Sequence, residues 1–229
     1  MFTSKILAVC LLASSAFAFA PQPTFRPPST ILSASAATTP SAAVQNVMVL
    51  QDASAVGDAV RKIVGDCAKE AIAERGYFAL AIPGGSILKM LVGNDILGDW
   101  TSKTTIAYVN HKCVDMADGD LATHAKARKL FLDNWSGANT IVMDGTADGA
   151  AEAASYESKM RALSEEELPR DAAGLPVFDL ALIGVGDDGH IGSLYPGREE
   201  VLVGADGVSS KYDIVSVCRA IYVRSLHYS

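Results

Sequence analysis

The sequence predicts an α/β fold: a doubly wound, mostly parallel sheet with helices on both faces. Three observations carry that expectation. Short apolar runs bounded by turn residues recur between stretches of helical periodicity, as strands alternating with helices require. Those runs are apolar throughout rather than alternating, which fits strands covered on both faces. The length of 229 residues, with 49% hydrophobic and 20% charged residues, suits one compact domain with a full core. The charge, 19 basic against 26 acidic residues with no cluster of Lys or Arg, excludes a nucleic-acid-binding face. No apolar run reaches the length of a membrane-spanning helix.

Taken in order, the chain opens with Lys5, the apolar run Ile6 to Leu12 and small residues ending Ala16-Phe17-Ala18-Phe19-Ala20-Pro21. Residues 1–18 read as a signal peptide with an A-x-A cleavage site after Ala18; a buried strand is the lesser reading of the same run. From Phe19 to about Ala43 the chain is rich in Ser, Thr, Pro and Ala, carries Arg26 and holds no acid before Asp52. That composition reads as a transit peptide. The Ala-Phe-Ala-Pro junction resembles the bipartite presequences of algae with secondary plastids, so plastid import is expected ahead of secretion. Residues 44–229 then form a single domain, with no membrane contact in the mature form.

Val56, Val60, Ile63, Val64, Cys67, Ala71 and Ile72 repeat at helical spacing, predicting a helix over Ala53 to Arg75 that Gly76 ends. Tyr77 to Ile82 follows as a buried strand, and Pro83-Gly84-Gly85-Ser86 turns it into the next helix. Thr104 to Val109 reads as strand, Thr123 to Leu132 as helix, Thr140 to Met143 as a short strand, Gly149 to Leu163 as helix and Phe178 to Ile183 as strand. Ligands bind outside the carboxyl ends of such strands, which directs attention to the loops after Ile82, Val109 and Ile183. The Gly84-Gly85-Ser86 turn, placed before a helix, offers free amides and a hydroxyl to an anion. It lacks the lysine of a Walker A loop and is not a dinucleotide fingerprint.

Phe178 to Gly197 is the most informative stretch. A strand delivers a loop with Gly184, Gly186 and Gly189 around His190, the one group there suited to proton transfer near neutral pH. The glycines would turn amides into a cleft as an oxyanion hole, and Asp188 would orient the imidazole. Cys67, Cys113 and Cys218 are widely spaced and suggest neither disulfides nor a zinc knuckle. Asp144-x-Thr146-x-Asp148-Gly149 begins like a calcium loop, but Ser155 stands where the bidentate Glu is needed. No metal and no cofactor is expected. The aromatic residues Trp100, Phe131 and Trp135 read as core, and Glu165-Glu166-Glu167 as a solvated helix end.

The pattern Gly184-x-Gly186-x-Asp188-Gly189-His190 followed by Ser193-Leu194-Tyr195-Pro196-Gly197, with Pro83-Gly84-Gly85-Ser86 about a hundred residues earlier, resembles the 6-phosphogluconolactonases of the sugar-phosphate isomerase and deaminase superfamily. The likeness covers about residues 50–200. Deaminases of that superfamily continue toward Phe-Asn-Glu-Pro after the histidine, so Ser193-Leu194-Tyr195-Pro196 takes the lactonase side. The resemblance implies a metal-independent hydrolase of a phosphorylated sugar lactone, with His190 as general acid and base and Asp188 beside it. Gly84, Gly85, Ser86, Lys112, Gly186, Gly189 and Ser193 are the expected substrate contacts, and a monomer is expected. Asn110-His111-Lys112 stands where the family commonly has Asp-Glu-Arg, which keeps a positive charge but loses the guanidinium fork. An inactive sugar-phosphate-binding relative and an amino-sugar-phosphate deaminase are the alternatives. Beyond about Val203 the resemblance fades, Arg219 and Arg224 match no family position, and the chain reads as shortened at its C-terminus.

Overall fold

The computed structural model describes residues 5–9, 47–93, 98–172, 174–197, 209–211 and 214–216. The segment 19–43 read as a transit peptide, both cleavage sites, Cys218, Arg219 and Arg224 lie outside the described residues.

Helix α1 (Ala53–Arg75) forms where the periodicity places it. Asp52 caps its start by accepting from the Ala55 amide at 2.9 Å, and Gly76 ends it at φ 89, a left-handed conformation open to a residue without Cβ. The chain reverses directly into β2 (Phe78–Ile82), every residue of which is buried. β3 (Thr104–Tyr108) pairs with β2 in parallel, Phe78 opposite Thr104 and Ile82 opposite Tyr108. β6 (Leu180–Gly184) pairs with the other side of β2, Leu80 opposite Leu180. The edges are β5 (Asn139–Thr140) beside β3 and β1 (Lys5–Val9) beside β6. The order is β1-β6-β2-β3-β5, all parallel, so the loops leaving β6, β2 and β3 emerge side by side at one end.

Both faces of this sheet are covered, as expected. Phe78, Leu80 and Ile82 face α1, the four-residue α2 (Ile87–Met90) and α3 (Thr123–Leu130). Ala79, Ala81 and Ala107 face Tyr156 and Met160 of α4 (Gly149–Ala162). The alternation of large and small residues along β2 lets α4 lie close while α1 is held off by bulk. Arg75, at the end of α1, locks the layers together. Its guanidinium donates to both carboxylate oxygens of Asp179 at 3.1 and 2.6 Å, and Asp179 also accepts from the Ala79 amide at 2.7 Å.

Residues 5–9, within the segment read as a signal peptide, pair in parallel with β6 over five residues, Lys5 opposite Leu180 and Val9 opposite Gly184. Some element ends differ from expectation. The helix expected through Leu132 stops at Leu130, because Phe131 swings into the core at φ −154 and packs edge-on against Trp135 at 5.0 Å. The strand expected over Thr140 to Met143 closes after Thr140. The Val142 carbonyl accepts from Lys159 and the Asp144 amide donates to the buried Glu152, which takes that backbone out of the ladder. The segment after Val203, which carried no architectural expectation, contributes β7 (Ser209–Lys211) and β8 (Ile214–Ser216). They form a hairpin antiparallel to β4 (Asn110–Lys112), His111 opposite Val215.

Candidate active site

The loop after β6 is held by its own backbone. The Gly186 amide donates to the His190 carbonyl at 2.9 Å, and the Gly189 amide donates to the Gly186 carbonyl at 2.9 Å. Gly189 sits at φ 84, which a side chain would disfavour. A second reversal follows at once. Ile191 and Leu194 exchange amide-to-carbonyl bonds at 3.3 and 2.8 Å around Gly192 and Ser193, both at positive φ. These bonds correct one expectation: the Gly186 and Gly189 amides close the turn and are spent, so they are not free to face a ligand. The amides of Asp187 and Ser193 have no acceptor among the described residues.

This scaffold fixes the imidazole. His190 Nδ1 lies 2.6 Å from Asp188 Oδ1, and the His190 amide donates to the same oxygen at 3.1 Å. Those hydrogen bonds, the ring's first, hold the Asp188 carboxyl below the usual carboxylate range. A carboxylate can only accept, so Nδ1 carries a proton, and in the neutral ring the lone pair is on Nε2. The ring stacks on Tyr195 with centroids 4.5 Å apart and 29° between planes. It also rests directly on Gly186, where a Cβ would come within 2.3 Å of both Cε1 and Nδ1. Gly186 is therefore required for space, a role distinct from the ligand contact expected of it.

The Gly84-Gly85-Ser86 turn is exposed at Gly85 and Ser86. A Cβ at Gly84 would meet Thr123 Oγ1 of α3 at 3.2 Å, and one at Gly184 would meet Ile87 Cδ1 at 3.3 Å. The helix that follows is a single turn and Ser86 makes no capping bond within it, so the expected anion site cannot draw on a helix dipole. What remains is the turn's backbone and the Ser86 hydroxyl.

Strand β4 divides its three residues between two faces. The Asn110 amide group donates to Ser193 Oγ at 2.7 Å, tying this strand to the His190 loop. Lys112 is exposed on the same side of the strand as Asn110. His111 points the opposite way and is 2% exposed. Its Nε2 accepts from the His124 amide at 3.1 Å and its Nδ1 donates to the Lys112 carbonyl at 2.7 Å, so a neutral ring anchors the first turn of α3. Burial pushes its pKa down from the ordinary histidine value. The Tyr108 hydroxyl meets His124 Nδ1 at 2.8 Å on the same side. Sequence reasoning missed the roles of Asn110, Tyr195 and Thr123. Asn110 carried a signal as a departure from the family pattern and Tyr195 as part of the motif after His190; Thr123 carried none.

The sequence profile of the family described as glucosamine-6-phosphate isomerases/6-phosphogluconolactonase matches residues 51–218. The chain belongs to this family. The match runs past Val203, where recognisable motifs end, and takes in the β7–β8 hairpin. Among curated relatives, "Probable 6-phosphogluconolactonase 3, chloroplastic" of Oryza sativa subsp. indica is 32% identical over 157 residues, covering 64% of this chain and 47% of that protein. "Probable 6-phosphogluconolactonase" of Schizosaccharomyces pombe is 27% identical over 165 residues, covering 67% and 63%. The chain thus spans about half the length of the rice relative and under two thirds of the yeast one. Among solved structures, 6-phosphogluconolactonase from Leishmania guyanensis superimposes with a TM-score of 0.61 at 20% identity, covering 74% of each chain, which establishes the shared α/β fold.

Proposed function

We propose that this protein hydrolyses 6-phospho-D-glucono-1,5-lactone to 6-phospho-D-gluconate, with His190 as general base and then general acid. The observation that carries the reading is the His190–Asp188 pair at 2.6 Å, which assigns the Nε2 lone pair of the neutral ring to proton abstraction at the carboxyl end of the sheet. Water attacks the lactone C1 carbonyl as Nε2 takes one of its protons, and the new C–O bond pushes charge onto the carbonyl oxygen. The unspent amides of Asp187 and Ser193 are the donors for that oxyanion. The intermediate collapses with cleavage of the bond from C1 to the ring oxygen, and the imidazolium returns its proton to that oxygen. Gly84, Gly85 and Ser86 with Lys112 hold the 6-phosphate, Lys112 as a point charge. Family membership and the lactonase relatives support the substrate class.

The protein acts as a monomer in a plastid, after loss of residues 1–18 and 19–43. The leader composition and the chloroplastic designation of the rice relative support that location. The exposed Lys112 without a guanidinium fork favours one second reading, a sugar-phosphate binder without turnover. Proton release on lactone addition, beyond the spontaneous rate, separates the two. Wild type is expected to accelerate it and His190→Ala to lose at least about 100-fold, as removal of a general base does. Equal rates for the two proteins would overturn the assignment of His190.

A further inference from the structure

We propose that Asn110 is a positioning residue that sets the direction of the Ser193 hydroxyl, so that Ser193 Oγ–H donates to an anionic oxygen of the bound sugar phosphate. The proposal rests on the lactonase reading for the ligand's identity and on the structure for its geometry. The amide nitrogen of Asn110 lies 2.7 Å from Ser193 Oγ. An NH2 group can only donate, so Ser193 Oγ accepts there with a lone pair and keeps its own proton for another partner. No acceptor for that proton occurs among the described residues. A part-buried hydroxyl with its acceptor side satisfied and its donor side unspent is a directed donor.

The backbone supports the same conclusion. Ser193 is the one non-glycine residue at positive φ among the described residues, at 64, beside Gly192 at 53. A glycine would hold this conformation without strain, so the side chain is kept where geometry alone would favour its absence. Through this one bond Asn110 joins the strand that carries Lys112 to the turn that carries His190.

Two measurements test this on the full chain: kcat and KM for lactone hydrolysis, and the Kd of 6-phosphogluconate by titration calorimetry. Asn110→Ala, which removes the donor that fixes the hydroxyl, is expected to raise KM and Kd about fivefold, while kcat falls much less. Ser193→Gly removes the hydroxyl but relieves the backbone, and is expected to weaken binding to the same degree. The double variant should be no weaker than either single one, since both remove the same bond. If Ser193→Gly binds as wild type does, the residue serves only the turn and the proposal fails. Wild type that binds 6-phosphogluconate without hydrolysing the lactone would sink the lactonase reading while the Kd series still decides the hydroxyl's role. Wild type that does neither overturns both.

Discussion

Adding one methyl group at Gly186 isolates the imidazole's placement from everything else in the fold. The glycine's φ is not in the left-handed region, so Gly186→Ala places no strain on the backbone. Its Cβ, however, would stand 2.3 Å from His190 Cε1 and Nδ1 and 3.0 Å from Asp188 Oδ1. Carbon atoms rest about 3.5–4.0 Å from non-bonded neighbours, so the ring must retreat by roughly 1 Å or more. That movement breaks the 2.6 Å bond to Asp188 or the stack on Tyr195, or both. A misplacement of about 1 Å in a reacting group costs on the order of 100-fold in rate, or about 2.7 kcal/mol. Stability should hardly change, because the loop is exposed and its hydrogen bonds are to backbone atoms that remain. The assay is kcat/KM for lactone hydrolysis beside a thermal melt. Activity within about threefold of wild type would refute the claim that the ring's seat on Gly186 matters. Gly189→Ala is the control: its Cβ meets nothing nearer than Pro196 at 3.9 Å, but φ 84 costs about 1–2 kcal/mol of backbone strain.

Two further outcomes follow from the interior. Arg75→Ala leaves the part-buried Asp179 without its cation, and should lower unfolding free energy by about 1.5–3 kcal/mol in urea titration. A loss below about 1 kcal/mol would show that the clamp is not energetic. His111 is neutral in the folded state with a pKa below its ordinary 6.5. Above pH 6.5 both states are uncharged and stability is full. As pH falls from 6.5 toward the depressed folded value, the unfolded chain takes the proton first, and stability should fall by up to about 1.4 kcal/mol per pH unit. His111→Gln should flatten that slope; an unchanged slope would assign it elsewhere.

Much of this fold was readable because its signals are local. The span of α1 follows from periodicity and from two caps, Asp52 and Gly76, that each act within a few residues. The buried strands follow from runs such as Phe78 to Ile82, which have no polar face to offer water. The His190 loop was visible in its glycines, though not what each does. Gly186 gives space to a ring four residues away, and its amide is spent on the carbonyl of that same residue, both set by how the loop folds back on itself. Asn110 could not be found from its neighbours because its partner is 83 residues distant. The ends of α3 and β5 were misjudged where side chains, Phe131 and Lys159, divert the backbone for reasons set by packing.

The parallel pairing of β1 with β6 sets a clock on the closing of the sheet. Residues 5–9 leave the ribosome first, while their partners at 180–184 are made last among the sheet's strands. At roughly 5–20 residues per second, translation separates the two by about 10–30 s. Residues 5–9 therefore wait for their docking strand until nearly the whole sheet has been made, and the edge of β6 is covered only by the part of the chain that was synthesised first.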